Sequence, residues 1–599
     1  MDISESRRQE LLRGAYELVK VNWEEKRQTW LGYRYAMQCA LGMLYSDSRE
    51  IRDFANEMLV CDLPIPERCT FAPSLCMQLM VKHSDRLSPE AYAKVRNYWD
   101  AHREEPLQHS LDFVGVNDNF PCKSTYTALV GGEFLGDEEM IRIGKERLRF
   151  LYRMLHRRDL LSEYTSRCYT GMSLYHIASI ATDVKDPEMR EMALYCEEKI
   201  WQDMAEHYFA PMKAMAGPYS RAYEHATVAD AIDCDSVHYL LLFDLHKMEE
   251  FAPFCGVEQL ENDARICWYL SAHYHFPERL LDTMFHKQYP YEIDRTAEIT
   301  PCRYHFAADA RSKRDEEMDC ADEYPAAVSF NTTYMEESFA VGSALRPFHA
   351  AAFPESHFVL YPKNGQPRSV FSRYIINDKI VGQPNDNTWL NVEEPPTLID
   401  EGRKLCIQDG NTSLVAYKPT YFHHDAVTQM KASVIVSTRG NQLDAVWADG
   451  CLRAGGFTLD TPKPVFIADG DVYMAFLPLE ITDHGRKHAV EFRYVNGYAE
   501  LSWFNYDGPV RYFRKNDMLL TANGFVSVFA DRKNFDSFEA FVAAYSSYSL
   551  DDHTRSYVHT RGAYVRTIHF ENARSCFDFE FSPMSEGIRY AYTKNKTIV

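Results

Sequence analysis

The stretch GPYSRAY, residues 217–223, places an arginine between two tyrosines directly after a glycine and a proline. Gly-Pro interrupts a helix, so we expect Arg221 and Tyr223 to lie in a loop that leads into a helix starting near Glu224. Helix N-termini and guanidinium groups both attract anions, and a guanidinium binds a carboxylate through two parallel hydrogen bonds. The stretch therefore predicts an anion site with a phenol beside it. The plainer alternative is a rim of bulky side chains.

Two earlier loops are polar where their neighbours are apolar. The first, VGVNDNFPCKSTY at residues 114–126, carries asparagines before a helix predicted to start near Pro121. They serve either as a turn with a helix cap or as amides directed into a cleft. The second, SEYTSRCY at residues 162–169, lies between two predicted helices. The candidate site residues of these two loops are Asn117, Asn119, Glu163, Tyr164 and Tyr169.

The elements that must position these loops are helices. Across residues 1–290, apolar side chains recur at 3.6-residue spacing, and Ser88 and Asp186 are helix caps that are each followed by a proline. This pattern predicts about ten to twelve helices with short connections. Antiparallel helix pairs in this number suit an α/α toroid or a solenoid, and the lack of a fixed-period repeat disfavours the solenoid.

The second half of the chain is predicted to be β-structure. From about residue 330 the hydrophobic period changes to two, and VNGY at residues 495–498 is a strong hairpin signal. The polar segment 290–330 is predicted to be a linker or a surface loop. We therefore expect a multidomain α-then-β chain, with an α/α toroid (an incomplete barrel) at residues 1–325 and an antiparallel β-sandwich at residues 326–599.

The order of the loops resembles a known family. An Asn-bearing loop, a Tyr-x-Ser-x-x-Tyr loop and a Gly-Pro-x-Ser-Arg-x-Tyr loop follow one another at intervals of about 45 and about 50 residues. This order resembles the polysaccharide lyases that join an α/α toroid to an antiparallel β-sandwich, of the heparinase II/III-like, alginate lyase and chondroitin lyase type. The resemblance covers most of the chain as architecture but only three loops as motifs. Many such lyases carry a histidine beside the loop asparagine; NDNFP has none, which favours a tyrosine as the base.

The resemblance implies metal-independent β-elimination, in which a base removes the C5 proton of a uronic acid. Asn119 and Arg221 would stabilise the enolate-like charge that develops on the carboxylate. A tyrosine whose pKa is lowered by a nearby cation would take the proton, and the same or another tyrosine would protonate the departing O4. The tyrosines expected in these roles are Tyr223, Tyr169 and Tyr164. The expected substrate-binding residues are Asn117, Glu163, Tyr219 and His225, together with Arg346 and His349 at the domain junction.

Composition limits the partners. The formal net charge of −22 argues against extended nucleic-acid binding but allows an anionic polysaccharide in a locally basic cleft. The 15 cysteines include no C-x-x-C pair, so neither a disulfide framework nor a cysteine-rich zinc site is expected. We expect no cofactor and no catalytic metal, while a structural metal and the oligomeric state stay open. An N-terminus without an apolar signal, and the lack of a long apolar run, predict a cytoplasmic protein with no membrane contact, unless a signal has been removed.

Two other functions remain open at this point. A toroid glycoside hydrolase acting on uronides needs two carboxylates placed across the scissile bond. A non-catalytic glycan-binding protein needs only the cleft. The carboxylates available to a hydrolase are Asp118, Glu163, Glu224, Asp230, Asp233 and Asp235.

Overall fold

The chain folds as a helical region followed by a region of antiparallel sheets, as a computed structural model shows. The structure describes residues 1–29, 32–63, 71–113, 117–222, 232–251, 262–299, 328–348, 354–377, 400–419, 426–557, 563–583, 593–594 and 597–598. No helix in these ranges combines the length and the apolar character needed to cross a bilayer.

The described part of the helical region contains twelve α-helices, which agrees with the number expected from the sequence. They are α1 (Glu5–Lys26), α2 (Gly32–Met43), α3 (Arg49–Val60), α4 (Ala72–His83), α5 (Pro89–His102), α6 (Asn119–Leu135), α7 (Glu138–Arg157), α8 (Thr170–Asp183), α9 (Pro187–His207), α10 (Cys234–Phe243), α11 (Asn262–Tyr269) and α12 (Leu280–Phe285). Both predicted caps are confirmed. The Ser88 hydroxyl accepts from the N–H of Ala91, and the Asp186 carboxylate accepts from the N–H groups of Glu188 and Met189.

Alternate helices contact one another in succession. The contacts run from α2 to α4, α6, α8, α10 and α11, and α11 in turn contacts α2. Helices α3, α5, α7 and α9 each pack against one of this inner set. Helix α7 illustrates why these outer helices pack in this way. One of its faces buries apolar side chains, and the opposite face is charged; the buried residues include Met140, Ile143, Leu151 and Met154.

Two large antiparallel sheets form most of the second region. The nine-stranded sheet has the order β13-β16-β17-β10-β7-β6-β5-β4-β3, and the seven-stranded sheet has the order β12-β11-β14-β15-β18-β9-β8. The strands of the first are β3 (Tyr291–Glu298), β4 (Val328–Met335), β5 (Ala340–Ala344), β6 (His357–Lys363), β7 (Gln366–Ile376), β10 (Val427–Ser437), β13 (Phe457–Leu459), β16 (Val490–Val495) and β17 (Tyr498–Arg511). Those of the second are β8 (Gly402–Asp409), β9 (Thr412–Pro419), β11 (Ala445–Ala448), β12 (Cys451–Leu452), β14 (Val465–Asp469), β15 (Val472–Pro478) and β18 (Asn523–Asp531). One hydrophobic cluster takes side chains from both sheets, so the two sheets pack face to face.

Smaller elements complete the chain. A three-stranded sheet, β19-β20-β21, packs beside the seven-stranded sheet through a second hydrophobic cluster. The remaining elements are β1 (Tyr208–Phe209), β2 (Ala214–Met215), α13 (Lys515–Leu519), α14 (Phe538–Tyr545), β19 (Ser549–Tyr557), β20 (Ala563–Glu571), β21 (Cys576–Phe581), β22 (Thr593–Lys594) and β23 (Thr597–Ile598). The VNGY hairpin is confirmed: Val495 pairs with Tyr498, and Asn496 and Gly497 have φ of 48° and 84°, as a two-residue turn of this kind requires.

The predicted linker at residues 290–330 is wrong at its start. Strand β3 pairs with β4 along its whole length and forms an edge of the nine-stranded sheet. The alternation of buried and exposed side chains in this strand, with Ile293 and Ala297 buried, is too short and too rich in charged residues to indicate a strand from the sequence alone. The domain division at residues 325 and 326 stays a prediction, and it would leave this strand on the helical side of the boundary. Residues 300–327 lie outside the described ranges.

The two regions meet beside the candidate loops. Tyr219 and Glu355 form a two-way main-chain bridge at 3.0 and 2.9 Å, which ties the loop before Arg221 to the start of β6. Gly342 in β5 lies against the main chain of Gly217, where an added Cβ would be 1.5 Å from the carbonyl oxygen. The sheet region therefore helps to fix the position of the GPYSRAY loop.

Candidate functional site

The carboxylate of Glu163 is the centre of the candidate site. Asn119 donates to it three times: its main-chain N–H reaches Oε2 at 2.8 Å, and its side-chain Nδ2 reaches Oε2 at 3.0 Å and Oε1 at 3.2 Å. The Nη1 of Arg221 reaches Oε1 at 2.6 Å. All three residues are buried. An ionised carboxylate only accepts hydrogen bonds, so the amide nitrogen of Asn119, and not its oxygen, must face Glu163.

The first loop is tied to the second in both directions. Helix α6 begins at Asn119, two residues before Pro121, and the Asn119 main-chain N–H donates to Glu163. Asp118 precedes the helix without capping it. Its Oδ2 accepts instead from the main-chain N–H of Glu163 at 3.0 Å. Asn117 supports the arrangement, because its Oδ1 accepts from Asn119 Nδ2 at 2.8 Å.

The third loop joins the second through Arg221. Its guanidinium lies over the ring of Tyr169, 4.1 Å from the centroid, and its main-chain carbonyl accepts from the Ser166 hydroxyl at 3.1 Å. Burial opposes the charge of Arg221, but Tyr169 and Glu163 outweigh it and raise the pKa of the guanidinium above its ordinary value. The cation therefore stays charged although it is buried.

For Tyr169, the expectation of a lowered phenol pKa is wrong. Burial raises the pKa of Tyr169 above its ordinary value, and the opposing effect of Arg221 is smaller. The Tyr169 hydroxyl is therefore protonated at neutral pH and is a proton donor, not a ready base.

The Oδ1 of Asn119 is buried and has no hydrogen-bond partner within the described part of the chain. An acceptor of this kind is destabilising by about 1–3 kcal/mol unless water or a ligand donates to it. Asn119 thus offers a place for a hydroxyl donor while its nitrogen holds Glu163.

Further buried ion pairs and a thiol hydrogen bond connect the second loop, residues 162–169, to helices α10 and α11. Arg167 donates to Asp235 at 2.9 and 3.2 Å, and Arg265 donates to Asp233 at 3.2 Å. The Cys168 thiol also donates to Asp233, at 2.9 Å. Sequence reasoning left Asp233 and Asp235 among the hydrolase carboxylates and missed Arg265. Helix α11 buries Arg265 together with all of its other residues, and this burial could not be read from the sequence.

The other candidate residues are placed elsewhere or lie outside the described residues. The Tyr164 hydroxyl donates to the carbonyl of Arg346 at 3.4 Å, and its ring packs against Phe348. The Tyr219 hydroxyl donates to the carbonyl of Met215 at 2.8 Å, inside a hydrophobic cluster of its own. The structure therefore does not bring Tyr164, Tyr219 and Arg346 into the Glu163 group. The candidates outside the described residues are Tyr223, His225, His349, Glu224 and Asp230.

A family model described as a domain of unknown function (DUF8769) matches residues 122–243. The matched segment is well short of half of the chain; it holds Glu163, Tyr169 and Arg221 but begins after Asn119. No curated protein matches the sequence. The comparisons carry no activity over to this chain, so its function must be argued from the site.

Proposed function

We propose that the chain is a polysaccharide lyase that cleaves a uronic-acid-containing polysaccharide by β-elimination. One observation carries the proposal: the three loops that resemble the lyase motifs meet in one buried group, although Asn119 and Arg221 are about a hundred residues apart. Asparagine, tyrosine and arginine around a carboxylate position are the side chains that this reaction needs.

The finer fold is part of the proposal. Contacts between alternate helices that start at α2 and return to α2 support an α/α toroid. Two antiparallel sheets that share one hydrophobic cluster support a β-sandwich. In such a fold the candidate loops lie where the helical region meets the nine-stranded sheet, through the bridge between Tyr219 and Glu355.

In the proposed reaction the substrate carboxylate binds beside Glu163, next to the Arg221 guanidinium. The Arg221 guanidinium bonds Glu163 at 2.6 Å and stacks on the ring of Tyr169, so its orientation is fixed by the protein itself. Glu163 fixes Arg221 and Asn119, so these donors need no reorganisation as charge develops on the uronate. Asn119 Oδ1 would accept from a substrate hydroxyl.

The surroundings of the tyrosines indicate which of them donates a proton in the reaction and which accepts one. A base takes the C5 proton, the electron pair of that bond forms the C4–C5 double bond, and the C4–O4 bond breaks. Tyr169 is protonated and buried beside Arg221, so it would give its proton to the departing O4. Tyr223, two residues after Arg221, is the base in this proposal. Before the next cycle Tyr223 loses the C5 proton to solvent, and Tyr169 takes a proton from solvent.

The experiment is a panel of polyuronates incubated with the purified chain and followed by the ultraviolet absorbance of the unsaturated product. Only elimination creates the conjugated double bond. Tyr169→Phe should lower turnover by about 10²–10⁴, the usual contribution of a general acid. Tyr239→Phe is the matched control, since it removes another buried hydroxyl of the helical region, one that donates to the carbonyl of Met204 at 3.2 Å. Equal turnover in both variants would contradict the assignment of Tyr169.

A glycoside hydrolase is the second candidate, and one observation favours it. Asp118 and Glu163 are joined by a hydrogen bond from the main-chain N–H of Glu163, so two acidic residues lie side by side. Inverting and retaining hydrolases both use such a pair. New reducing ends without ultraviolet absorbance would identify a hydrolase. Calorimetric binding of an oligosaccharide with no product of either kind would identify a glycan-binding protein.

A further inference from the structure

The outer face of the three-stranded sheet β19-β20-β21 concentrates metal-ligating side chains. His569 in β20 pairs directly with Asp578 in β21, and Glu571 pairs with Cys576. Successive residues of a strand point to opposite faces, so these four side chains share one face. The opposite face is apolar and belongs to the hydrophobic core through Ile568, Phe570, Phe577 and Phe579. The ligand-bearing face is therefore the one turned to solvent.

Three of these side chains are close enough to share one ion. One ligand atom each of His569, Cys576 and Asp578 lies within 4.8 Å of the other two. Ligands at the usual zinc bond lengths in a tetrahedral site are about 3.4–3.6 Å apart, so no two of these ligand atoms need to change their separation by more than about 1.4 Å. The side chains of His569 and Asp578 are 40% and 55% exposed, which leaves their χ angles free to make that change.

We infer that His569, Cys576 and Asp578 form a binding site for a divalent transition-metal ion of the zinc type. An imidazole, a thiolate and a carboxylate together suit zinc, whereas magnesium and calcium prefer oxygen ligands alone. Nδ1 of His569 and Oδ1 of Asp578 are 2.7 Å apart, and the ion would replace the proton between them. Three protein ligands leave a fourth position for water or for a neighbouring carboxylate.

The neighbouring strand supplies a carboxylate and a second imidazole. Asp551 in β19 is the direct partner of His569 on its other side, and it accepts from Nδ1 of His553 at 2.8 Å. Asp551 can orient His569 as an outer ligand partner or complete the coordination itself. The site would join β20 to β21 next to their connecting turn, where Asn572 Oδ1 accepts from the N–H groups of Arg574 and Ser575. This inference does not depend on the proposed function.

The test is calorimetric titration of zinc chloride into the metal-free full chain, with cobalt(II) absorbance as the second measurement. We expect one high-affinity ion at this site and a sulfur-to-cobalt charge-transfer band. His569→Gln and Cys576→Ser should each weaken zinc binding by at least about 100-fold, beyond the usual loss for an outer-shell partner. Cys576→Ser should also remove the charge-transfer band.

Cys451→Ser is the matched control, because Cys451 is an exposed thiol in β12 of a different sheet. It should bind zinc as the wild type does. Circular dichroism of the metal-free variants checks that they fold, which is expected because the substituted side chains are on the solvent face. The inference is overturned if the wild type gives no zinc heat, if cobalt gives no thiolate band, or if the two ligand variants bind zinc as tightly as Cys451→Ser does.

Discussion

Replacing Glu163 by glutamine should strongly destabilise the helical region. The carboxylate accepts from the main chain and side chain of Asn119 and from Arg221, so both oxygens are engaged by donors. Glutamine has one oxygen and one NH2 group. If its oxygen keeps the Asn119 N–H, its nitrogen faces the Arg221 donor; if it turns over, its nitrogen faces Asn119. Either orientation sets two donors against each other.

The magnitude follows from the burial of the pair. The side chains of Arg221 and Glu163 are 7% and 0% exposed. Removing one partner of a buried ion pair leaves an uncompensated charge and lowers the free energy of unfolding by about 3–5 kcal/mol. The stacking of Arg221 on Tyr169 remains and favours the lower end of this range. The surface pair of Arg142 and Glu139 gives the control, since Glu139→Gln breaks an ion pair that is open to solvent and should leave the free energy of unfolding almost unchanged.

The assay is denaturant unfolding followed by far-ultraviolet circular dichroism, which is dominated by the helices. The double variant Glu163→Gln with Arg221→Met removes the stranded cation, so its loss should be smaller than the sum of the two single losses by about 1–3 kcal/mol. A Glu163→Gln variant within about 1 kcal/mol of wild type, or strictly additive losses, would refute the pairing of these side chains.

Three further predictions concern the site, its support and pH. Asn119→Ala should lower the free energy of unfolding by about 1–3 kcal/mol, more than a lost cap, because it strips the side-chain donor from a buried carboxylate; chemical denaturation measures this. Gly342→Ala should lower the free energy of unfolding by about 1–3 kcal/mol and reduce any turnover by the proposed lyase, because its Cβ would meet the carbonyl of Gly217; thermal unfolding and the polyuronate absorbance assay test both. Burial lowers the pKa of His176 to about 3 and that of His238 to about 4 in the folded chain. Below about pH 6.5 the unfolded chain takes up a proton at each of these histidines and the folded chain does not, so the free energy of unfolding falls by about 1.4 kcal/mol per pH unit for each histidine down toward pH 4. Denaturant unfolding at pH 7 and pH 5 should show a shallower pH slope in His176→Asn, and an unchanged slope would contradict the assignment.

Features that depend on neighbouring residues in the sequence were predictable. The caps at Ser88 and Asp186 and the hairpin at residues 495–498 are confirmed because a few consecutive residues decide them. Helix α6 starts two residues before the predicted position, since Asn119 is held there by Glu163, a residue 44 positions away. Strand β3 was missed because only its partner β4 makes it a strand.

The candidate site was predictable as a set of residue types but not as a set of partners. Asn119, Glu163, Tyr169 and Arg221 were all identified from loop composition, and the structure brings them together. That Arg221 faces an internal carboxylate could not be read from the sequence, because no local pattern relates two loops 58 residues apart. The raised pKa of Tyr169 has the same origin, since burial is a property of the fold.

The density of buried charge in these loops argues for positioning rather than for stability. Three arginine–carboxylate pairs, Arg221 with Glu163, Arg167 with Asp235 and Arg265 with Asp233, are each almost wholly removed from solvent. Apolar side chains of similar volume would hold the same loops at least as well, because the desolvation of a buried ion pair offsets most of its attraction. What apolar side chains cannot do is fix a guanidinium in one orientation beside an amide and a phenol. The pair between Arg167 and Asp235 and the Cys168 thiol on Asp233 hold the second loop against the start of α10, and Asp233 is itself paired with Arg265 of α11. That loop in turn holds Arg221 on Tyr169. The stabilisation of charge proposed for a bound uronate would use this rigidity, and a rim of bulky side chains would not need it.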